Sequence, residues 1–379
     1  MTNAADVGVL VVGGGVLGLG HAIAALRAGH RVMLCERDSV ARGASVRNFG
    51  MIWPIGQPRG PLQQQALRSR QLWSELGELA GFRCEATGSL HVAYADDEWQ
   101  VLEQFADDAV LPGLELLSAG EAIRRQPRLC ESGLRGGLFS PHEANVDPGA
   151  AVAALHRFAE REGLERRLGT AVVAIESGVA TLASGTRVTA EHIVVCTGDD
   201  FRGLFPELFA ASGLVRCKLQ MLALGPQPDG FRLGPMCAAG LTLLHYPGFA
   251  ACPGLAALRA RLAVERAAEI ARGIHVLVSQ RDDGCLIVGD SHEYGDGFGP
   301  VLDAATERLI LDYLRTFLAV PNAEVVERWS GSYALQRGGE PIFRAGPAPG
   351  VEVVTGVGGS GMTRSLAIGE ETVGRWRTS

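Results

Sequence analysis

The sequence predicts an α/β fold carrying a dinucleotide-binding unit, on three observations. The chain has 379 residues, enough for two domains or one large interleaved unit at roughly 100–200 residues per domain. Hydrophobic residues make up 47% and charged residues 20% of it, the balance of a globular protein and not of a disordered one. Near the amino terminus, an apolar strand runs into glycines, a helix and a second strand that closes on an acid.

Each element of that segment has a physical reason. Val7 to Val12 is a β-branched run, the pattern of a parallel strand buried on both faces. Gly13, Gly15 and Gly18 come next in the spacing G-x-G-x-x-G. The first glycine permits a tight turn, the second lets backbone approach a pyrophosphate, and the third lets helix pack on strand. Leu19 to Ala28 is the helical stretch, capped by Gly29, and Arg31 to Glu36 is the second strand. Val16 and Leu17 sit at the helix start, where N–H groups and a partial positive charge suit a diphosphate. Glu36 is placed to accept hydrogen bonds from ribose hydroxyls, and it disfavours a 2′-phosphate.

Composition excludes several classes. Forty-two acidic against 35 basic residues give a formal charge of −7, so nucleic acid is not the expected partner. The 50 glycines show no collagen-like period and belong to turns and close approaches. Val7 to Leu26 is apolar enough to suggest a membrane span. Asp6 in place of a basic flank, and the glycines within it, argue against one. The eight cysteines are scattered, with no CxxC pair and no metal-like spacing, so reduced thiols of a cytoplasmic protein are expected. No Gly-x-Ser-x-Gly elbow, nucleophile triad or metal cluster of His and acids is legible, and no metal is expected.

The segment after Glu36 decides between cofactors. Arg37 to Met51 is a loop of small and polar residues containing Ser45, Val46, Arg47, Asn48, Phe49 and Gly50. It resembles the second flavin-binding segment of the D-amino-acid oxidase superfamily, in the branch holding glycine oxidase and monomeric sarcosine oxidase. Ala171 to Ile175, with Val173, and Ile193 to Gly198, with Cys196 and Thr197, resemble two further strands of that family. Val354 to Thr363, with Gly358, Gly359, Ser360, Gly361 and Met362, resembles its carboxy-terminal flavin motif. The resemblance covers essentially the whole chain and implies FAD. It implies that Ser45 and its neighbours contact the diphosphate, that Gly50 and Met51 lie beside the isoalloxazine, and that a helix start after the late glycines faces the flavin N1–C2=O edge.

The resemblance also implies a discontinuous Rossmann-like FAD-binding domain (1–85, 146–213 and 326–379) with an inserted α+β substrate domain (86–145 and 214–325) built on a mixed or antiparallel sheet. Pattern reading adds helices over 61–81, 99–111, 149–162 and 255–272, a Ser118 N-cap with Glu121 at N3, and strands over 88–94, 215–224, 275–280 and 285–289.

The activity the resemblance implies is oxidation of a C–N bond, the imine then hydrolysing to an aldehyde or keto acid. Such chemistry needs alignment more than acid–base help, so no catalytic residue is singled out. The departures are informative. Where sarcosine oxidase clamps a carboxylate with Arg, an ungapped reading puts Trp53. The position of a glycine oxidase Arg falls on Tyr333. No Cys lies between 286 and 379 to anchor the flavin as sarcosine oxidase does, so FAD is expected to be non-covalent. The oxygen-activating lysine is replaced near Ile287 or Val288, which leaves oxidase and dehydrogenase both open, with O2 the expected acceptor. The candidate substrate contacts are Trp53, Lys218, His245, Tyr246, His292, Tyr294, Tyr333 and Arg337, although a lone histidine is equally at home in a core and Arg337 on a surface. Segments 48–54 and 289–295 resemble a subgroup linked with aminophosphonate breakdown, which implies 2-aminoethylphosphonate or its N-methyl form as substrate. A glycine or sarcosine oxidase, and a non-catalytic flavin-bearing subunit, are the alternatives.

Overall fold

Val9, Leu10 and Val11 are buried without remainder on the first strand, Ala5–Val12, as a central parallel strand requires. A computed structural model of the chain describes residues 5–108, 111–228, 230–336 and 341–376. The first strand pairs in parallel with Val32–Cys35 and with Arg187–Val195, Val9 opposite Val32 on one side and His192 on the other. Val351–Thr355 extends the sheet in parallel, Ile193 opposite Val351. The hairpin Val172–Glu176 and Val179–Leu182, with Glu165–Arg167 and Phe343–Ala348, completes its eight strands. On one face the first helix, Val16–Arg27, packs along the last, Gly361–Trp376. The fully buried Trp73, from the helix Pro61–Ala80, donates its indole N–H to the Met362 carbonyl at 2.7 Å.

A second, nine-stranded sheet roofs the first, antiparallel among the described residues except where Met236–Ala238 meets Ser89–Ala93. Its longest pairing joins Leu214–Leu224 to Val325–Gln336, from Leu214 opposite Gln336 to Leu224 opposite Val325. The domain division drawn from sequence puts 326–336 with the nucleotide half, whereas this strand is bonded along its length to the roof. The small sheet of Met51–Ile52, Ala144–Val146 and Cys84–Glu85 lies apart from both.

Local signals translate into structure in most elements. Ser118 accepts from the Glu121 N–H while Glu121 accepts from Ser118, the reciprocal cap that the spacing predicts. The helix expected from Trp99 instead spans Asp96–Asp108, because Asp96, Asp97 and Glu98 suit a first turn. The helix expected over 255–272 is broken into Leu255–Glu265 and Ala267–Ala271. At the break Arg266 leaves helical geometry with its guanidinium 5.3 Å from the centre of the Tyr313 ring. Among the described residues no helix is long and apolar enough to cross a membrane.

Candidate active site

Two helix starts open on one cavity of about 490 Å³ between the sheets. Gly15, Val16 and Leu17 bring the first helix to its wall, and Gly361 and Met362 bring the last. Each end offers unpaired N–H groups and a partial positive charge. The glycine turn is made by close approach. Gly13 holds φ +111°, and a Cβ on Gly18 would stand 1.9 Å from the Gly13 carbonyl oxygen. His156 supports the turn, its Nε2 lying 2.9 Å from the Gly14 carbonyl. Ser45 Oγ accepts from the Val16 N–H at 2.9 Å. Glu36 ends its strand on the cavity wall, one oxygen accepting from Gly14 N (2.7 Å) and the other from Asp38 N (2.9 Å). Each of those oxygens keeps a second lone pair for a hydroxyl. Arg37 lines the same end and pairs with Asp200.

Of the residues the sequence assigns to the cofactor, Gly13, Gly15, Val16, Leu17, Glu36, Arg37, Ser45, Arg47, Asn48, Phe49, Val173, Cys196, Thr197, Gly198, Gly358, Gly359, Gly361 and Met362 line this cavity. Gly18, Val46, Gly50, Met51, Ser360 and Thr363 stand behind the wall. Gly18 lies under the turn, Met51 pairs with Asn145, and Thr363 accepts from the Trp53 N–H at 3.0 Å. Asn48 orders the loop by accepting from Gly50 N at 2.7 Å.

The roof side sorts the substrate candidates. His245, Tyr246, His292 and Tyr333 line the cavity. Lys218 does not, because side chains alternate along a strand and Leu219 takes the inward position. Lys218 Nζ donates to the Gly299 carbonyl at 2.7 Å and faces Glu293 at 3.8 Å. Trp53 is buried behind the wall, tilted against Tyr246 with ring centroids 6.1 Å apart. Tyr294 lies exposed on the edge strand Glu293–Tyr294, its ring centroid 6.4 Å from that of His292. Arg337 lies outside the described residues.

Two lining residues, His275 and Asp290, stand outside the sequence candidates, although Asp290 falls in the segment 289–295. His275 Nε2 stands 3.2 Å from Asp290 Oδ1, and both groups are buried. His275 stacks on His245 with ring centroids 3.8 Å apart, and His292 lies 4.5 Å from His245. Burial holds His275 well below the ordinary imidazole range, reinforced by its histidine neighbours. Burial pushes the Asp290 carboxyl up to about 6 against the opposing pull of His292. Tyr246 and Tyr333 are raised by burial, which keeps them as neutral hydroxyl donors. The sequence expectation of no His and acid cluster therefore differs from the structure, because the three histidines come from separate segments. From Leu204 onward no Lys or Arg lines the cavity among the described residues.

The arrangement suits FAD at both ends, with a hydroxyl acceptor at Glu36, one helix start for a diphosphate and another for the flavin edge that becomes anionic on reduction. Known proteins agree. Glycine oxidase from Geobacillus kaustophilus is 28% identical over 211 residues, 52% of this chain and 55% of that protein. The chain thus spans about half the length of that relative. An opine oxidase subunit from Rhizobium meliloti is 22% identical over 359 residues, 89% of this chain and 85% of that one. The crystal structure of the Geobacillus glycine oxidase superposes with a TM-score of 0.77 at 22% identity, covering 97% of this chain and 94% of its own. That of iminodiacetate oxidase from Chelativorans sp. BNC1 gives 0.72 at 20% identity, covering 98% and 95%. The profile of the FAD dependent oxidoreductase family, DAO, runs from residue 8 to 375, past both helix starts and every roof strand, and the chain belongs to that family as an FAD-dependent oxidoreductase.

Proposed function

We propose that the enzyme oxidises the C–N bond of a small amine that carries an acid group, with 2-aminoethylphosphonate or its N-methyl form preferred. FAD, when bound, would supply the two-electron oxidant for this chemistry: a hydride leaves the α-carbon, a proton leaves the nitrogen, and water hydrolyses the resulting imine to an aldehyde plus ammonia or methylamine. The carrying observation is the roof. Its polar lining is Tyr246, Ser332, Tyr333, the three histidines and Asp290; none of its own described residues brings a guanidinium to the cavity, and Arg47, which lines the cavity from the nucleotide side, donates to the Ser330 carbonyl. Hydroxyl and imidazole groups suit a phosphonate, which presents three acceptor oxygens. Half-buried Tyr333 stands beside Gly359 of the late glycine turn, where a substrate held by its hydroxyl would lie next to the flavin edge. We place the enzyme in the cytoplasm on its scattered, reduced thiols, and take O2 as electron acceptor.

The reading is tested by comparing kcat/KM for glycine, sarcosine and the two phosphonates, measured by peroxide release and by an artificial dye. The phosphonates should lead by about a hundredfold, since a buried carboxylate with poor partners costs several kcal/mol. Tyr333→Arg should move the preference toward carboxylates. Faster turnover of glycine or sarcosine by the wild type would remove the phosphonate and favour the activity named for the glycine oxidase relative.

FAD is proposed to be non-covalent, held through the residues that line the nucleotide end. Acid precipitation should release all the yellow colour into the supernatant, and flavin remaining in the pellet would contradict this. Glu36→Ala should weaken FAD retention by about 1–3 kcal/mol, the worth of a charge-assisted hydrogen bond. Unchanged affinity in equilibrium dialysis would mean that the ribose is held elsewhere.

A further inference from the structure

The roof histidines form more than a stack. His245 ends the helix Gly240–His245, His275 precedes the strand Leu277–Gln280, and His292 comes after Leu286–Gly289. From these three segments one ring nitrogen of each lies within 4.8 Å of the other two. His275 Nδ1 is buried without a hydrogen-bond partner, and unlike the equally orphaned His91 it belongs to a residue that lines the cavity.

The surrounding acceptors fix what each ring presents. His292 Nδ1 lies 2.8 Å from the Gly273 carbonyl and so carries its proton there, leaving a lone pair on Nε2. His275 Nε2 stands 3.2 Å from Asp290 Oδ1, and its Nδ1 is without a partner. A ring that gives one N–H to a fixed oxygen and keeps the other nitrogen bare is the usual arrangement of a metal-bound histidine. His245 is exposed and all three histidines line the cavity, so the cluster borders the substrate space. Asp290 is 4% exposed and stands within ion-pair distance of both His275 and His292.

We propose that His245, His275 and His292 bind one divalent transition-metal ion of the zinc class, with Asp290 orienting His275, and that the ion receives the substrate's acid group. Three imidazoles with an open fourth position suit such an ion. The open position suits a phosphonate or carboxylate oxygen, since no Lys or Arg among the roof's own described residues lines the cavity. The receptor role rests on the acidic-amine reading above, whereas the metal site does not.

Zn2+ titration of chelator-treated holoenzyme by calorimetry tests the site without using turnover. One Zn2+ per FAD is expected. His245→Ala and His292→Ala should each weaken binding by about tenfold or more, and Asp290→Asn should weaken it less, with the FAD-to-protein ratio unchanged. Because His245 faces the cavity, its variant keeps the test decisive if a buried one misfolds. Absence of Zn2+ binding, or binding unaltered in His245→Ala, overturns the site. Phosphonate turnover that falls on chelation and returns with Zn2+ supports the receptor role. Turnover indifferent to a bound Zn2+ overturns that role alone. If none of the four amines is oxidised while Zn2+ still binds through these histidines, the substrate reading has failed and the metal site has not.

Discussion

Gly18→Val should yield protein without FAD and with several kcal/mol less stability. The first β-carbon alone would stand 1.9 Å from the Gly13 carbonyl oxygen and 3.2 Å from Val11 Cγ1. No rotamer relieves that contact, because the opposing atom is backbone at the turn beneath the cavity. Either the helix lifts from its strand or the glycine turn opens. Both outcomes move the N–H groups of Val16 and Leu17 away from the cavity wall they line. Overpacking a side chain typically costs about 1–3 kcal/mol, and a collision with backbone belongs at or above the top of that range. Flavin absorbance per protein, together with thermal unfolding, reads both effects. A yellow variant that melts with the wild type would show that the close approach is unimportant.

Trp73→Ala should be the next most damaging change. The side chain is fully buried, its ring meets Phe82 edge-on with centroids 5.9 Å apart, and its N–H satisfies the Met362 carbonyl. Removing a buried aromatic costs about 3–5 kcal/mol through lost transfer energy and the cavity left behind. The bereft carbonyl adds to that. Since Met362 lies in the first turn of the last helix and lines the cavity, FAD affinity should fall with stability. Trp73→Phe separates the contributions by keeping most of the volume while losing the hydrogen bond. The check is denaturant unfolding with FAD affinity measured beside it. A loss below about 1 kcal/mol in the alanine variant would place the packing elsewhere.

The nucleotide end is legible in the sequence because its signals are local. Gly13, Gly15, Gly18 and Glu36 lie within one strand, helix and strand, and the physics of each position acts over a few residues. The same holds for the Ser118 cap. The roof is legible only as strands. Alternation could have turned Lys218 outward, since Leu219, Met221 and Ala223 are the buried partners of one face. Trp53 aligns with a family Arg yet sits behind Tyr246, a displacement that alignment by position does not register. His275 gives no local sign, and Asp290 none beyond its place in the segment 289–295. They meet through the pairing of Leu277 with Gly289, and the third partner, His245, arrives from a separate helix. Convergence of that kind is a property of sheet register, which single-chain patterns leave unspecified.

The placing of the first strand beside Arg187–Val195, and of the first helix on Gly361–Trp376, bears on how the protein is made. The strand waits for a partner more than 150 residues downstream, and the helix for one more than 300 downstream. At about 5–20 residues per second of synthesis, the apolar segment from Val7 to Leu26 stays uncovered for tens of seconds. Contacts so distant along the chain also form slowly once available. The nucleotide half, although first in sequence, is therefore last to close, its first helix lacking its packing partner until the last helix has been made.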